Sequence, residues 1–194
     1  MTERVTAVIL AGGRSSRFGR DKLAEPIAGR PMLDHVIERV RAVASEIVVV
    51  AAAGPAPDLP ADVQVVHDDV AFEGPLAGLG MGLRAVDPGV ERVIVVGGDM
   101  PTVVPAVLAR LLATLDRREA AVLADATRPR PLPLAVRRSV AASAVDDLVA
   151  AGERRLRALL ERLDVGIVAE KDWRPDDPAG ESLRDVDVPG DLPG

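Results

Sequence analysis

Short apolar runs recur along the chain at residues 5–10, 47–51, 63–66, 92–96, 120–124, 132–136 and 165–169, several of them rich in valine and isoleucine. Continuously apolar runs of this length suit strands buried on both faces. Between them the spacing changes. Leu33, Val36, Ile37, Val40 and Ala44 fall on one helical face, as do Val104, Val107, Leu108, Leu111 and Leu115. Strands alternating with amphipathic helices predict an α/β fold of three layers, with a mostly parallel sheet covered by helices on both faces. Residues 54–57 read as a loop, and no internal repeat is visible. The polar tail from Arg174 reads either as an irregular end or, because 183–188 alternates apolar and charged residues, as a late strand.

Composition narrows the function classes. A chain of 194 residues that is 48% hydrophobic can bury a full core, and one domain over 1–194 is expected. A net charge of -6 argues against a general nucleic-acid binder, which needs a basic face to neutralise phosphates. Phe18, Phe72 and Trp173 are the aromatic residues, too few for a base-stacking platform. The absence of Cys excludes disulfides, thiolate metal sites and cysteine nucleophiles, and His35 and His67 alone make a histidine zinc cluster improbable. There is no secretory-type leader, and no apolar run approaches the ~20 residues that span a bilayer, so a cytoplasmic location away from membranes is expected.

The first apolar run ends in Leu10-Ala11-Gly12-Gly13, followed by Arg14, Arg17, Arg20 and Lys22. A solvated turn would explain this, but in an α/β sheet ligands bind beyond the carboxyl ends of the strands. Gly12 and Gly13 let backbone amides approach an anion, and the cationic side chains supply charge. Neither the Walker pattern nor the G-x-G-x-x-G spacing is present. Lys22 sharpens the phosphate reading. Only Lys22 and Lys171 are lysines among 24 basic residues, so a lysine here suggests a need for a compact point charge.

Two further segments carry chemistry. Gly97-Gly98-Asp99-Met100-Pro101 places a carboxylate at the end of another buried run, suited to a Mg²⁺ that bridges nucleotide phosphates, or else to capping the helix that starts near Thr102 or Pro105. In the segment 73–83, Gly74, Gly78, Gly80 and Gly82 stand where a helix should begin, which reads as tight packing on the sheet or close approach of a ligand. Just upstream, Asp68 and Asp69 are ligand contacts or a solvated pair.

Taken together, Leu10-Ala11-Gly12-Gly13, Ser16-Arg17-Phe18-Gly19, Asp21-Lys22, Gly74-Pro75-Leu76-Ala77-Gly78, Gly98-Asp99-Met100-Pro101, Pro131-Leu132, Gly152-Glu153-Arg154 with Leu156-Arg157, and Asp185-Val186-Asp187-Val188-Pro189 resemble the molybdenum cofactor guanylyltransferases, the MobA-like nucleotidyltransferases. The resemblance implies a Rossmann-like nucleotidyltransferase fold, transfer of GMP from GTP to the terminal phosphate of molybdopterin with release of pyrophosphate, a Mg²⁺ requirement, and contact with molybdoenzymes or their chaperones. It implies that Gly12, Gly13, Arg17 and Lys22 hold the triphosphate, that Leu10 and Ala11 belong to the nucleotide-binding loop, that Asp68 and Gly78 lie near the nucleoside, that Asp99 binds Mg²⁺, and that Asp187, often Asn in these enzymes, approaches the metal or the acceptor. Gly98 stands where the guanylyl branch often has Cys, and Phe18 where Met is common. The tail resembles cytidylyl enzymes too, but their loop reads Ala-Ala-Gly and ends Pro-Lys, unlike Ala11-Gly12-Gly13 and Asp21-Lys22 here. Phosphoryl attack needs positioning and charge neutralisation rather than a protein nucleophile, so the lack of a catalytic Cys or His is no objection. A non-catalytic nucleotide-binding module would need no metal ligand, and a sugar-phosphate nucleotidyltransferase is usually longer.

Overall fold

The computed structural model describes residues 4–12, 22–52, 58–68, 74–126 and 128–186. The chain opens with β1 (Val5–Ala11), and a small antiparallel hairpin, β2 (Pro26–Ile27) and β3 (Arg30–Pro31), leads into α1 (Met32–Arg41). Next come β4 (Glu46–Ala52), β5 (Val63–Asp68), α2 (Pro75–Ala85), β6 (Arg92–Gly97) and α3 (Pro105–Leu115). The last third holds β7 (Ala120–Asp125), β8 (Arg128–Arg137), α4 (Arg138–Ala150), α5 (Leu156–Leu160), β9 (Val165–Val168) and α6 (Glu170–Trp173).

Each apolar run is a strand of one seven-stranded sheet, in the order β5-β4-β1-β6-β8-β7-β9. β8 alone runs antiparallel to its neighbours β6 and β7, and the remaining pairings are parallel. The three layers follow from strand geometry, because successive side chains leave opposite faces. From β1, Ala7 and Ile9 enter one core with Leu33, Val36, Leu108 and Leu111 of α1 and α3. Val8 enters the other with Leu76, Leu79 and Leu83 of α2 and Val145 of α4. A strand serving two cores has no polar face to show.

Two expectations need correction. The tail forms no late strand among its described residues. Glu181–Leu183 is a 3-10 turn, and residues 184–186 run on without a ladder. Asp177 is the reason: its carboxylate accepts the N–H groups of Glu181 at 2.9 Å and Ser182 at 2.7 Å, tightening the chain into a turn where strand pairing would need it extended. The helical face that was to include Ala44 ends with α1 at Arg41, and Ala44 reaches the core from a turn closed by its N–H on the Val40 carbonyl.

The winding fixes where a ligand can enter. From β1 the chain moves outward to β4 and β5, then returns to the other side of β1 as β6. Winding reverses between β1 and β6, so a crevice opens beyond their carboxyl ends.

Candidate active site

β1 and β6 run in register up to Leu10 opposite Gly97, and the contact continues past the ladder, where the Gly98 N–H donates to the Leu10 carbonyl at 2.9 Å. The Leu10-Ala11-Gly12 segment and the Gly98-Asp99 turn are thus held side by side at the mouth of the crevice. Gly97 is required by its neighbour: a Cβ there would collide with Asp99 Oδ1, so only glycine lets the carboxylate fold back over the strand end. Asp99 is half-buried and lies six residues before α3. The residue preceding that helix is Val104, and its backbone N–H donates to the Ser182 hydroxyl at 3.1 Å. Helix capping therefore does not account for Asp99.

The edge continues away from β6 across β4 and β5. A Cβ on Gly12 would meet Ala52 N at 3.7 Å and the Val50 carbonyl at 3.8 Å, ordinary contacts, so packing among the described residues does not demand glycine there. Ala52 in turn pairs with Asp68 at the end of β5. Leu10, Ala11, Gly12 and the backbone of Asp68 consequently share one sheet edge.

The four glycines leading into and along α2 divide by physical cause. Gly74 sits at φ +93, and a Cβ there would lie 3.0 Å from Arg154 Cβ and its carbonyl. At Gly80 a Cβ would lie 2.9 Å from Val145 Cγ1, and at Gly82 it would lie 2.5 Å from Val8 Cγ1. Those two are packing glycines, against α4 and the sheet respectively. At Gly78 the nearest described atom is Val50 Cγ1 at 3.7 Å, an ordinary contact, so packing among the described residues does not demand glycine there.

Two further segments converge on the mouth. Lys22 begins a 3-10 turn, Lys22–Ala24, whose Leu23 packs against Gly98, with its Cδ1 3.2 Å from where a Cβ would be. The tail returns as well: Val186 donates its N–H to the Asp99 carbonyl at 2.9 Å and buries its side chain with Ile27 and Met32. Asp177 anchors that return. Burial pushes its carboxyl up, but hydrogen bonds from the Ser182 and Glu181 N–H groups, then the Ser182 hydroxyl and the Gly180 N–H, outweigh it and hold the group below its ordinary range. Thr102 adds a hydroxyl bond to the Glu181 carbonyl.

Arg17, Gly13, Asp69 and Asp187 lie outside the described residues. Among the described residues no group of three His, Asp or Glu gathers as a metal site. Magnesium typically takes only one or two carboxylates and completes its shell with water and substrate phosphates, so a partly exposed Asp99 in a glycine cradle suits it.

Unforeseen from the sequence is the role of Glu153. Its carboxylate accepts Arg155 Nε and Nη2 together with the backbone N–H groups of Arg155 and Arg154, and these bonds, the Arg155 side chain first, hold it down at about 2. The ordered turn presents the Arg154 carbonyl to the Leu76 N–H at 3.3 Å, bracing the start of α2.

A family model described as the MobA-like NTP transferase domain matches residues 7–167, which takes in the crevice strands and most of the sheet. The chain belongs to this family. A probable molybdenum cofactor guanylyltransferase of Chloroflexus aggregans is 34% identical over 194 residues, spanning 97% of this chain and 91% of that relative. The crystal structure of molybdopterin-guanine dinucleotide biosynthesis protein A from Archaeoglobus fulgidus superposes with a TM-score of 0.77 at 23% identity, covering 96% of this chain and 94% of that one. A 4-diphosphocytidyl-2C-methyl-D-erythritol synthase from Anaerococcus prevotii shares the fold too, with a TM-score of 0.76 at 15% identity over 98% of this chain and 95% of that one. The MobA-like family is thus placed by sequence, and the NTP transferase fold by structure. No helix among the described residues is long and apolar enough to cross a membrane.

Proposed function

We infer that this protein is a molybdenum cofactor guanylyltransferase, transferring GMP from GTP to the terminal phosphate of molybdopterin in the synthesis of molybdopterin guanine dinucleotide. The observation that carries the chemistry is the meeting of the Leu10-Ala11-Gly12 edge, the Lys22 turn and the Gly98-Asp99 turn at the point where winding reverses. An oxygen of the acceptor phosphate attacks the α-phosphorus of GTP. The bond from that phosphorus to the bridging oxygen breaks, and pyrophosphate leaves with the electron pair. Backbone amides at the edge, with Arg17 and Lys22, neutralise the crowded charge, and the fixed edge positions donor against acceptor.

Asp99, joined by Asp187, would hold Mg²⁺, which when bound neutralises donor phosphates. Asp68 and Gly78 would border the nucleoside. The same reading places the protein in the cytoplasm and its product with molybdoenzymes or their chaperones. The test supplies molybdopterin, Mg²⁺ and GTP or CTP in competition, and follows pyrophosphate and the dinucleotide. GTP is expected to win by at least about tenfold, a modest demand on hydrogen-bond readout. Equal or better use of CTP would move the protein to the cytidylyl branch, and full activity in EDTA would remove the metal.

A further inference from the structure

β8 extends past the end of its neighbour. Its pairing with β6 stops at Leu134 opposite Val95, and because the two strands are antiparallel, residues 128–133 leave that ladder toward the same sheet edge as the Gly98-Asp99 turn. Against β7 the strand bulges, with Leu134 opposite Val122 and Pro129 already opposite Ala124, so the overhang is folded short at that edge rather than fully extended. The overhang returns to β7 through Asp125 opposite Arg128. With the start of α5 it encloses a cleft of about 450 Å³ whose charged lining is Asp125, Arg128, Arg130 and Arg157.

The cleft gathers positive charge. Most of the other described arginines pair with a carboxylate, as in Arg41–Asp62, Arg84–Asp146 and Arg118–Asp164, each at 2.7 Å. Arg128 and Arg157 have no side-chain partner among the described residues, and Arg130 reaches Asp125 only at 3.9 Å. An acidic protein thus keeps three guanidiniums against one carboxylate in a single cleft.

The cleft is also built to stay in shape. Arg128 and Arg130 both line the cleft, and Pro129 and Pro131, which line it with them, fix the backbone φ. From behind, Trp173, fully buried, donates its indole N–H to the Ala124 carbonyl at 3.0 Å, and Glu170 accepts the Ala126 N–H at 3.1 Å. These bonds tie α6 to the hairpin tip.

The nucleotide edge runs from Asp99 across β1, β4 and β5, whereas this cleft lies on the other side of Asp99, over β8 and β7. We propose that Arg128, Arg130 and Arg157 bind the non-reacting end of the acceptor, an anionic heterocycle rich in hydrogen-bond acceptors, so that its phosphate points back to Asp99. The assignment rests on the guanylyltransferase reading. Forked, permanently charged guanidiniums suit carbonyl, ring-nitrogen and anionic groups, and they stack on flat rings.

The test compares wild type with Arg128→Ala/Arg157→Ala, with Arg157→Gln alone, and with Arg117→Ala as an exposed arginine at the opposite edge. Molybdopterin binding is read by pterin fluorescence and GTP binding by calorimetry. Loss of two charge-assisted contacts should raise the molybdopterin Kd at least about tenfold in the double variant, with a smaller rise for Arg157→Gln. GTP affinity should stay within about twofold, and Arg117→Ala should behave as wild type. Unchanged molybdopterin affinity in both cleft variants would overturn the proposal and leave the guanylyltransferase reading standing. A parallel loss of GTP affinity would assign the cleft to the nucleotide instead. A wild-type protein that binds GTP but not molybdopterin would overturn both.

Discussion

Gly78 and Gly82 lie one turn apart in α2, and alanine should have opposite effects at the two positions. At Gly82 the new methyl would stand 2.5 Å from Val8 Cγ1 and 3.0 Å from Val50 Cγ2. Val8 is completely buried in the central strand and is stiff about χ1, so it has nowhere to yield. Overpacking costs about 1–3 kcal/mol, and the helix propensity of alanine returns about 1. With the neighbours this rigid, a net loss of about 1–2 kcal/mol is expected, which in a domain of this size lowers Tm by about 2–8 °C. At Gly78 the methyl meets Val50 Cγ1 at 3.7 Å, an ordinary contact, so propensity alone acts and Tm should rise by about 1–4 °C. The cost appears in function: with GTP approaching that position, Gly78→Ala should weaken GTP binding by about tenfold, the effect of one lost close contact. Thermal unfolding without nucleotide and calorimetric titration with GTP measure both quantities. A Gly78→Ala protein that is less stable than wild type, or that binds GTP normally, would refute the division between packing and ligand glycines.

Lys22→Ala should abolish most turnover with little change in Tm, and Lys22→Arg should rescue only partly, since a fork does not replace a point charge; normal activity in Lys22→Ala would return the loop to a solvated turn. Asp99→Asn should cut turnover far more than it weakens GTP binding, and a variant with normal turnover would end its assignment to the metal. Asp177→Asn should destabilise the protein at neutral pH by about 1–3 kcal/mol, because an amide cannot replace a carboxylate accepting several donors. The folded group titrates below its ordinary value of 3.8, so its contribution is present above that pH and is lost as pH falls through the lower folded value. The Tm gap between Asp177→Asn and wild type should therefore close in strong acid, and a gap independent of pH would refute the anchor.

The sheet was legible because burial on both faces writes itself as unbroken apolar runs, and each of the seven runs is a strand within one to four residues of its expected limits. Much of the final third was less legible. α4 is thinly apolar, with Ala141 and Val145 its buried residues, so its period is faint. The start of β8 is hidden by prolines at 129, 131 and 133, which look like a loop until the strand is seen to overhang its neighbour. In the site, Asp99 and Gly12 stood out because strand ends are where an α/β sheet binds ligands. Glu153 did not, because its effect passes through backbone N–H groups and the Arg154 carbonyl, which no residue pattern announces. Asp177 and Ser182 were missed for the same reason. The alternation of arginine and proline at 128–131 was the one available signal for the cleft.

The departure at Gly98 shows how the crevice is held together. The guanylyl branch often has Cys at this place, and any side chain here would start 3.3 Å from the Ala11 Cα and 3.2 Å from Leu23 Cδ1. Glycine removes that obstacle, and Leu23 closes onto the turn in its place. Leu23 also packs with Ile27, Met32 and Val186, so one leucine joins the turn that begins at Lys22 to the returning tail. The tail is fixed independently by the Val186 bond to the Asp99 carbonyl. A cysteine at 98 would have to displace Leu23, and with it the packing that holds the Lys22–Ala24 turn against the Gly98-Asp99 turn. The glycine is therefore compensated locally by Leu23, and the substitution leaves the meeting of the Lys22–Ala24 turn, the Gly98-Asp99 turn and the returning tail intact.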